Sequence, residues 1–168
     1  MPLSLYDVTV PAFIRGFANL SKNLAKGRAW ADEQKLPHET LTDARLIADM
    51  RPLTAQIQRA SDTAKAIVPR ITGLEAPAMA DTEKTFDEME ARIAATVAFL
   101  KSVPAEAFEG REAHEVVLKF GKETFPMTAR DYVLTFAIPN FYFHVTTAYD
   151  IMRAKGVPLG KLDYIGVR

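Results

Sequence analysis

Cysteine is absent from this chain. Disulfides, thiolate zinc sites and thiol nucleophiles are therefore excluded together. The absence fits a reducing compartment, and a cytoplasmic location is expected. Excess charge is missing too, since Lys plus Arg and Asp plus Glu come to 21 each. With no basic stripe to meet phosphates, nucleic acid is not an expected partner. No apolar run approaches the roughly 20 residues needed to span a bilayer. The opening Met-Pro-Leu-Ser-Leu-Tyr-Asp has no basic stretch followed by an apolar run, so neither a membrane partner nor a signal peptide is expected. Gly-rich loops, internal repeats and low-complexity segments are also lacking.

What is present is a chain of 168 residues, 48% hydrophobic and 25% charged. That fits one domain over 1–168 with a sizeable core. Ser4 with Asp7 reads as a capping box opening a first long helix, with the stripe Val10, Phe13, Phe17, Leu20 and Leu24. Pro11 falls inside it, so a kink there, or a start at Pro11, is expected. His38 to Leu41 suggests a short helical turn. Pro52 leads into a second long helix, in which Leu53, Ile57, Ala60, Ala64, Ile67 and Ile71 align at 3.6-residue spacing. Gln56 lies at the edge of this inner face, while Gln58 and Asp62 point away. Pro69 and Gly73 end the element. A third helix is predicted from about Thr82 to Ser102 with the stripe Phe86, Met89, Ile93, Val97 and Leu100. "HEVVLKFGKETFPM" changes period and reads as a β-hairpin turning at Gly121-Lys122. Thr128 with Asp131 caps a fourth long helix ending near Ala154, and Pro139 predicts a kink near Phe136. The tail "LGKLDYIGVR" is expected to be extended along the outside. The pattern is an all-α four-helix bundle with a small β-hairpin before the last long helix.

The chemistry concentrates in "AIPNFYFHVTTAYDIM", residues 137–152. Helical spacing puts Tyr132, Val133, Phe136, Asn140, Phe143, Thr147 and Ile151 on one face, with His144 one ridge over. Asn140 and His144 are four apart and in line, the spacing by which a helix offers two ligands to one metal. Gln56 on the second helix faces the same volume. One imidazole with two neutral amides is a weak donor set for zinc or nickel. Two readings stand side by side: a metal or catalytic site with His144 as ligand or general base, or polar groups satisfied inside a core. His38 and His114 fall in exposed settings. Asp43 and Asp49 lie before the second helix, where carboxylates favour the helix dipole. Tyr6, Tyr142 and Tyr149 carry hydroxyls at the edge of the core, and Met50, Met79, Met89 and Met152 read as gap-fillers.

The stretches "LSLYDVTVPAFIRGFANLSKNL", "DMRPLTAQIQRASDTAKA" and "RDYVLTFAIPNFYFHVTTAYDIMRAKGVPLGKLDYIG" together resemble a domain-of-unknown-function branch of the DinB/YfiT-like superfamily of metalloenzyme-type bundles. The resemblance covers nearly the whole chain. It implies a DinB/YfiT-like four-helix bundle. It also implies a divalent metal, nickel or zinc, held by one His of the second helix and two of the fourth, in some members thiol S-transferase activity, and for this chain a homodimer. Carried over, His144 matches the second His of the fourth-helix pair, and Asn140 stands where the first would be. Gln56, with Gln58 as competitor, stands at the second-helix position. The expectation is a degenerate metal site in a small-molecule binding or interaction module. The alternative is a metal-dependent thiol S-transferase using His144.

Overall fold

The computed structural model describes residues 3–167; Met1, Pro2 and Arg168, which the expected 1–168 domain includes, lie outside the described residues. Helix α1 spans Leu5–Glu33. The Asp7 N–H donates to Ser4 Oγ at 3.1 Å, and the Ser4 N–H donates to Asp7 Oδ2 at 3.0 Å. The helix does not start at Pro11: this reciprocal cap and the burial of Leu5, Thr9 and Val10 hold the turns before it. A short α2, Glu39–Thr42, leads to α3, Leu53–Thr72, which Gly73 closes in the left-handed region at φ 78°. Helix α4 is Phe86–Ser102 and starts later than the Thr82 suggested by the sequence. The reason is its own capping box, in which the Glu88 N–H donates to Thr85 Oγ1 and the Thr85 N–H to Glu88 Oε2.

A 3₁₀ turn at Ala105–Phe108 precedes strands β1, Glu115–Phe120, and β2, Glu123–Thr128. They pair antiparallel from Glu115↔Thr128 to Phe120↔Glu123, and Gly121 turns at φ 61°. Thr128 caps α5, Ala129–Asp131, which continues through a π-helical stretch, Tyr132–Ala137, into α6, Ile138–Ala154. The distortion expected from Pro139 takes this π form. Proline returns no N–H to the Thr135 carbonyl, and the turn widens so that the Ile138 N–H reaches Val133, five back. One residue is thereby added to the count. The expected inner face is displaced: Phe143 is 54% exposed, and Ala137, Phe141, Val145, Ala148 and Met152 fill the core beside Ile151. The tail is not simply extended. It forms α7, Lys161–Ile165, capped where the Gly160 N–H donates to Asp163 Oδ2 at 2.7 Å. Trp30 is half-buried, close enough to Gly156 that a Cβ there would lie 3.4 Å from its ring.

Helix α1 packs on α4 and α6, and α3 packs on the same two, giving a square bundle. Gly16 and Gly27 of α1 face Phe141 and Met152 of α6, so α1 and α6 run in parallel. Gln56 and Thr63 of α3 bond His144 and Asn140, so α3 and α6 are antiparallel. Arg28 of α1 pairs with Asp87 in the first turn of α4, and Ser21 and Lys22 lie nearer Glu90, so α4 runs opposite to α1. It is therefore parallel to α3, which it meets at Ser61–Thr96 and Asp62–Arg92. The order is up, down, down, up, and residues 73–85 must climb back along the α3–α4 seam.

Arg92 holds that crossover. Its side chain is only 1% exposed. Nη2 donates to Asp62 Oδ1 at 2.7 Å and lies 3.1 Å from Asp81 Oδ1; Nη1 donates to Glu83 Oε1 and to the Ala80 carbonyl, each at 3.0 Å. Burial alone would raise the Glu83 pKa, but its own backbone N–H, Arg92 and Gln58 outweigh that and hold it below the usual range. Lys65, also buried, reaches Asp62 at 3.4 Å and the Pro77 carbonyl at 3.3 Å. No spacing or motif in the sequence marks this network. Arg92→Met should cost about 3 kcal/mol, the lower end of roughly 3–5 for breaking a buried pair, because its carboxylates stay partly solvated; urea unfolding measures it. Gly16→Ala should cost about 1–3 kcal/mol by overpacking, since the new Cβ would sit 2.7 Å from the Phe141 ring. The same unfolding series reads that loss, and an unchanged midpoint would mean the ring moves freely.

Candidate functional site

The antiparallel α3–α6 seam brings Gln56 and His144 together. Gln56 is 2% exposed, and its Nε2 donates to the Arg51 carbonyl at 2.9 Å. A carbonyl only accepts, so the amide nitrogen must face Arg51 and the amide oxygen must face the imidazole. Gln56 Oε1 lies 2.8 Å from His144 Nδ1. His144 Nδ1 is therefore the donor, and the neutral ring keeps its lone pair on Nε2. Nε2 has no hydrogen-bond partner among the described residues. Burial first, then the Arg59 and Arg51 guanidinium groups, push the His144 pKa down to about 4. At neutral pH the site thus presents an uncharged acceptor in a positive surrounding.

Asn140 and His144 share a ridge but do not converge on one bond. Asn140 Nδ2 donates to Thr63 Oγ1 at 2.7 Å, and Thr63 Oγ1 donates to the Arg59 carbonyl at 2.8 Å. Gln58 does not point into solvent as its helical phase suggests. It is 8% exposed, and its Nε2 donates to Glu83 Oε2 at 2.9 Å, beneath the crossover. Of the two glutamines, Gln56 is the one at the imidazole. Thr63, Arg51 and Arg59 also belong to the site, although no motif in the sequence singles them out. Arg59 and Thr63 lie three and seven positions after Gln56, a helical repeat that marks the ridge in retrospect.

The remaining candidates lie elsewhere. His38 Nε2 is 2.8 Å from Asp32 Oδ1, with its ring edge-on to Phe86. His114 is exposed and serves through its carbonyl, which accepts from the Ala129 N–H. Asp43 caps the end of α2, and Asp49 is exposed in the loop before α3. Tyr6 packs edge-on to Phe108, and Tyr149 edge-on to Tyr164. Met89 and Met152 are core residues, while Met50 and Met79 are half-buried.

Nickel or zinc does not suit this donor set. It offers one imidazole nitrogen, an amide oxygen already bonded to that imidazole, and one further neutral amide oxygen, that of Asn140, whose N–H is turned to Thr63. Two guanidinium groups add positive charge nearby. Among the described residues no group of three or more His, Cys, Asp or Glu side chains could hold a metal ion.

The depressed imidazole pKa couples to stability. Between 6.5, the ordinary value, and about 4, the unfolded chain binds a proton that the folded chain refuses. The contribution of His144 is complete above 6.5 and is lost as pH falls through that window. Thermal unfolding should show a steeper fall in Tm from pH 6.5 to 4 than in His144→Gln. Nitrogen NMR should find the Nδ1–H tautomer at pH 6. A ring that protonates near 6.5 would contradict the site as described.

The family model "Domain of unknown function (DUF1993)" matches residues 5–165. Comparison with curated proteins gives no match. A solved structure described as a DinB family member protein from Shewanella denitrificans is similar at 37% identity, over 96% of this chain and 92% of that one, with a TM-score of 0.87. The up-down-down-up bundle, the inserted hairpin and these two agreements lead to one assignment: the chain belongs to the DUF1993 family of DinB-like domains of unknown function.

Proposed function

We propose that this DinB-like domain is a metal-free small-molecule binding module, with His144 Nε2 as the atom that meets the ligand. The observation that carries this reading is the 2.8 Å bond from His144 Nδ1 to Gln56 Oε1. A superfamily metal site would need a ligand from this α3 position; here the position carries an amide spent on orienting the imidazole. Gln56 is then a positioning residue, itself fixed by the Arg51 carbonyl. A neutral imidazole with a lone pair on Nε2 accepts a hydrogen bond from an O–H or N–H of a small molecule. A pKa near 4 makes it a poor proton carrier at neutral pH, which favours binding over general-base chemistry.

The test is metal content by mass spectrometry on untagged protein dialysed against excess nickel and zinc, with His144→Ala alongside. The expected result is no stoichiometric metal in either protein, and a loss of about 1–3 kcal/mol in the variant because buried Gln56 Oε1 is left unpaired. Near-stoichiometric metal that vanishes in His144→Ala would overturn the reading and favour the thiol S-transferase alternative, for which the free Nε2 is the atom a metal would take.

A further inference from the structure

On another side of α6, against α1 and α7, lies a cavity of about 500 Å³. Its volume falls in the range of small-molecule sites. The floor is apolar, formed by Pro11, Ala12, Gly16 and Val145. Gly16 presents bare backbone there, with the Phe141 ring packed on it and the Tyr142 ring 3.9 Å from where a Cβ would lie. The outer wall is α7, and it is pinned. Asn19 Nδ2 donates to the Tyr164 carbonyl at 3.2 Å, Tyr164 and Thr146 hydroxyls are 2.9 Å apart, and Lys26 pairs with Asp163. Gly166 is required there, because a Cβ would fall 2.1 Å from Asn19 Oδ1. The cavity is thus held open by fixed contacts.

Two polar groups enter it with little to bind. Arg15 has one hydrogen bond among the described residues, a long 3.4 Å contact with the Ile165 carbonyl, and no carboxylate partner. The Tyr142 hydroxyl has no partner among the described residues, and its ring is half-buried. Burial raises its pKa, so it stays a donor. Asp7 also lines the cavity, but about 12 Å along the helix from Arg15 at 1.5 Å per residue. Its Oδ2 is taken by the Ser4 N–H and Oγ.

We propose that this cavity is a binding site for a small amphipathic monoanion, a carboxylate on an apolar body. The carboxylate lies between the Arg15 guanidinium and the Tyr142 hydroxyl, and the body lies along Ala12 and Val145. The site is independent of His144, which faces α3.

Calorimetric titration of the full chain with octanoate, and with 1-octanol as its neutral match, tests this. Octanoate should bind one to one. Octanol should bind at least about tenfold more weakly, since hydrogen bonds to a charged group are worth that factor or more. Arg15→Met keeps the stem and removes the charge, and should weaken octanoate by about tenfold. Tyr142→Phe should weaken it by a smaller factor, and His144→Ala should leave it unchanged. Arg15 is exposed, so its variant folds. Failure of octanoate to bind the wild-type chain, or equal affinity in Arg15→Met, would overturn the proposal. Loss of octanoate binding in His144→Ala would place the ligand at the α3–α6 seam instead.

Discussion

A single buried guanidinium holds the topology. Helices α3 and α4 point the same way, so the chain between them must return the length of the bundle outside both. Such a return is loop, rich in backbone groups that no helix satisfies. Arg92 satisfies one of them, the Ala80 carbonyl, reaches the Gln58 carbonyl of α3, and gathers Asp62, Asp81 and Glu83 around one planar charge. Taking a guanidinium out of water costs several kcal/mol, and only a dense set of acceptors offsets it. The crossover supplies those acceptors, so neither the loop nor the arginine is stable there without the other. Asp62 and Asp81 also lie 3.6 and 3.7 Å from Arg59, and Arg59 is one of the charges that keep His144 neutral. The strap and the imidazole are thus electrostatically linked.

Helix α6 is treated differently by its two neighbours. Against α1 it approaches over glycines and buries Phe141 between Phe13 and Phe17. Against α3 it spends polar side chains, His144 on Gln56 and Asn140 on Thr63. Apolar contact gives affinity but tolerates sliding, whereas a pair of directed bonds fixes register. One helix therefore carries the fit on one side and the alignment on the other, with the two candidate binding surfaces at the edges of those sides.

Much of this architecture is legible in the sequence. The stripes of α1, α3 and α4 fall at helical spacing, and the stripe residues Phe13, Ile57 and Met89 are fully buried. The Gly121 turn marks the hairpin. Gln56 can be chosen over Gln58 from helical phase alone, because α3 is regular. The same arithmetic fails on the fourth helix, where it turns Phe143 inward. A constant angle per residue cannot survive a π turn, and only the absent N–H of Pro139 hints at one. Arg92 is invisible for another reason. Its partners are far along the chain or in a loop, and a charged residue within an amphipathic pattern reads as solvated. The cap of α7 is local, with Asp163 serving Gly160, yet five residues are too few for a periodic signal.

The π turn also has a consequence for how the hairpin joins the bundle. Residues 129–131 take their phase from the hairpin and the turn that leads into β1, through the Ala129 and Arg130 N–H groups bonded to the His114 and Glu112 carbonyls. Residues 138–154 take theirs from α1 and α3. Two helices set by different neighbours would not meet in step, and the widened turn is the splice that reconciles them. It leaves Phe136 on the hairpin side, where its ring meets Phe120 and Tyr132. The hairpin is in this sense a separately indexed part, and the splice lets the strand geometry drift without turning His144 away from Gln56.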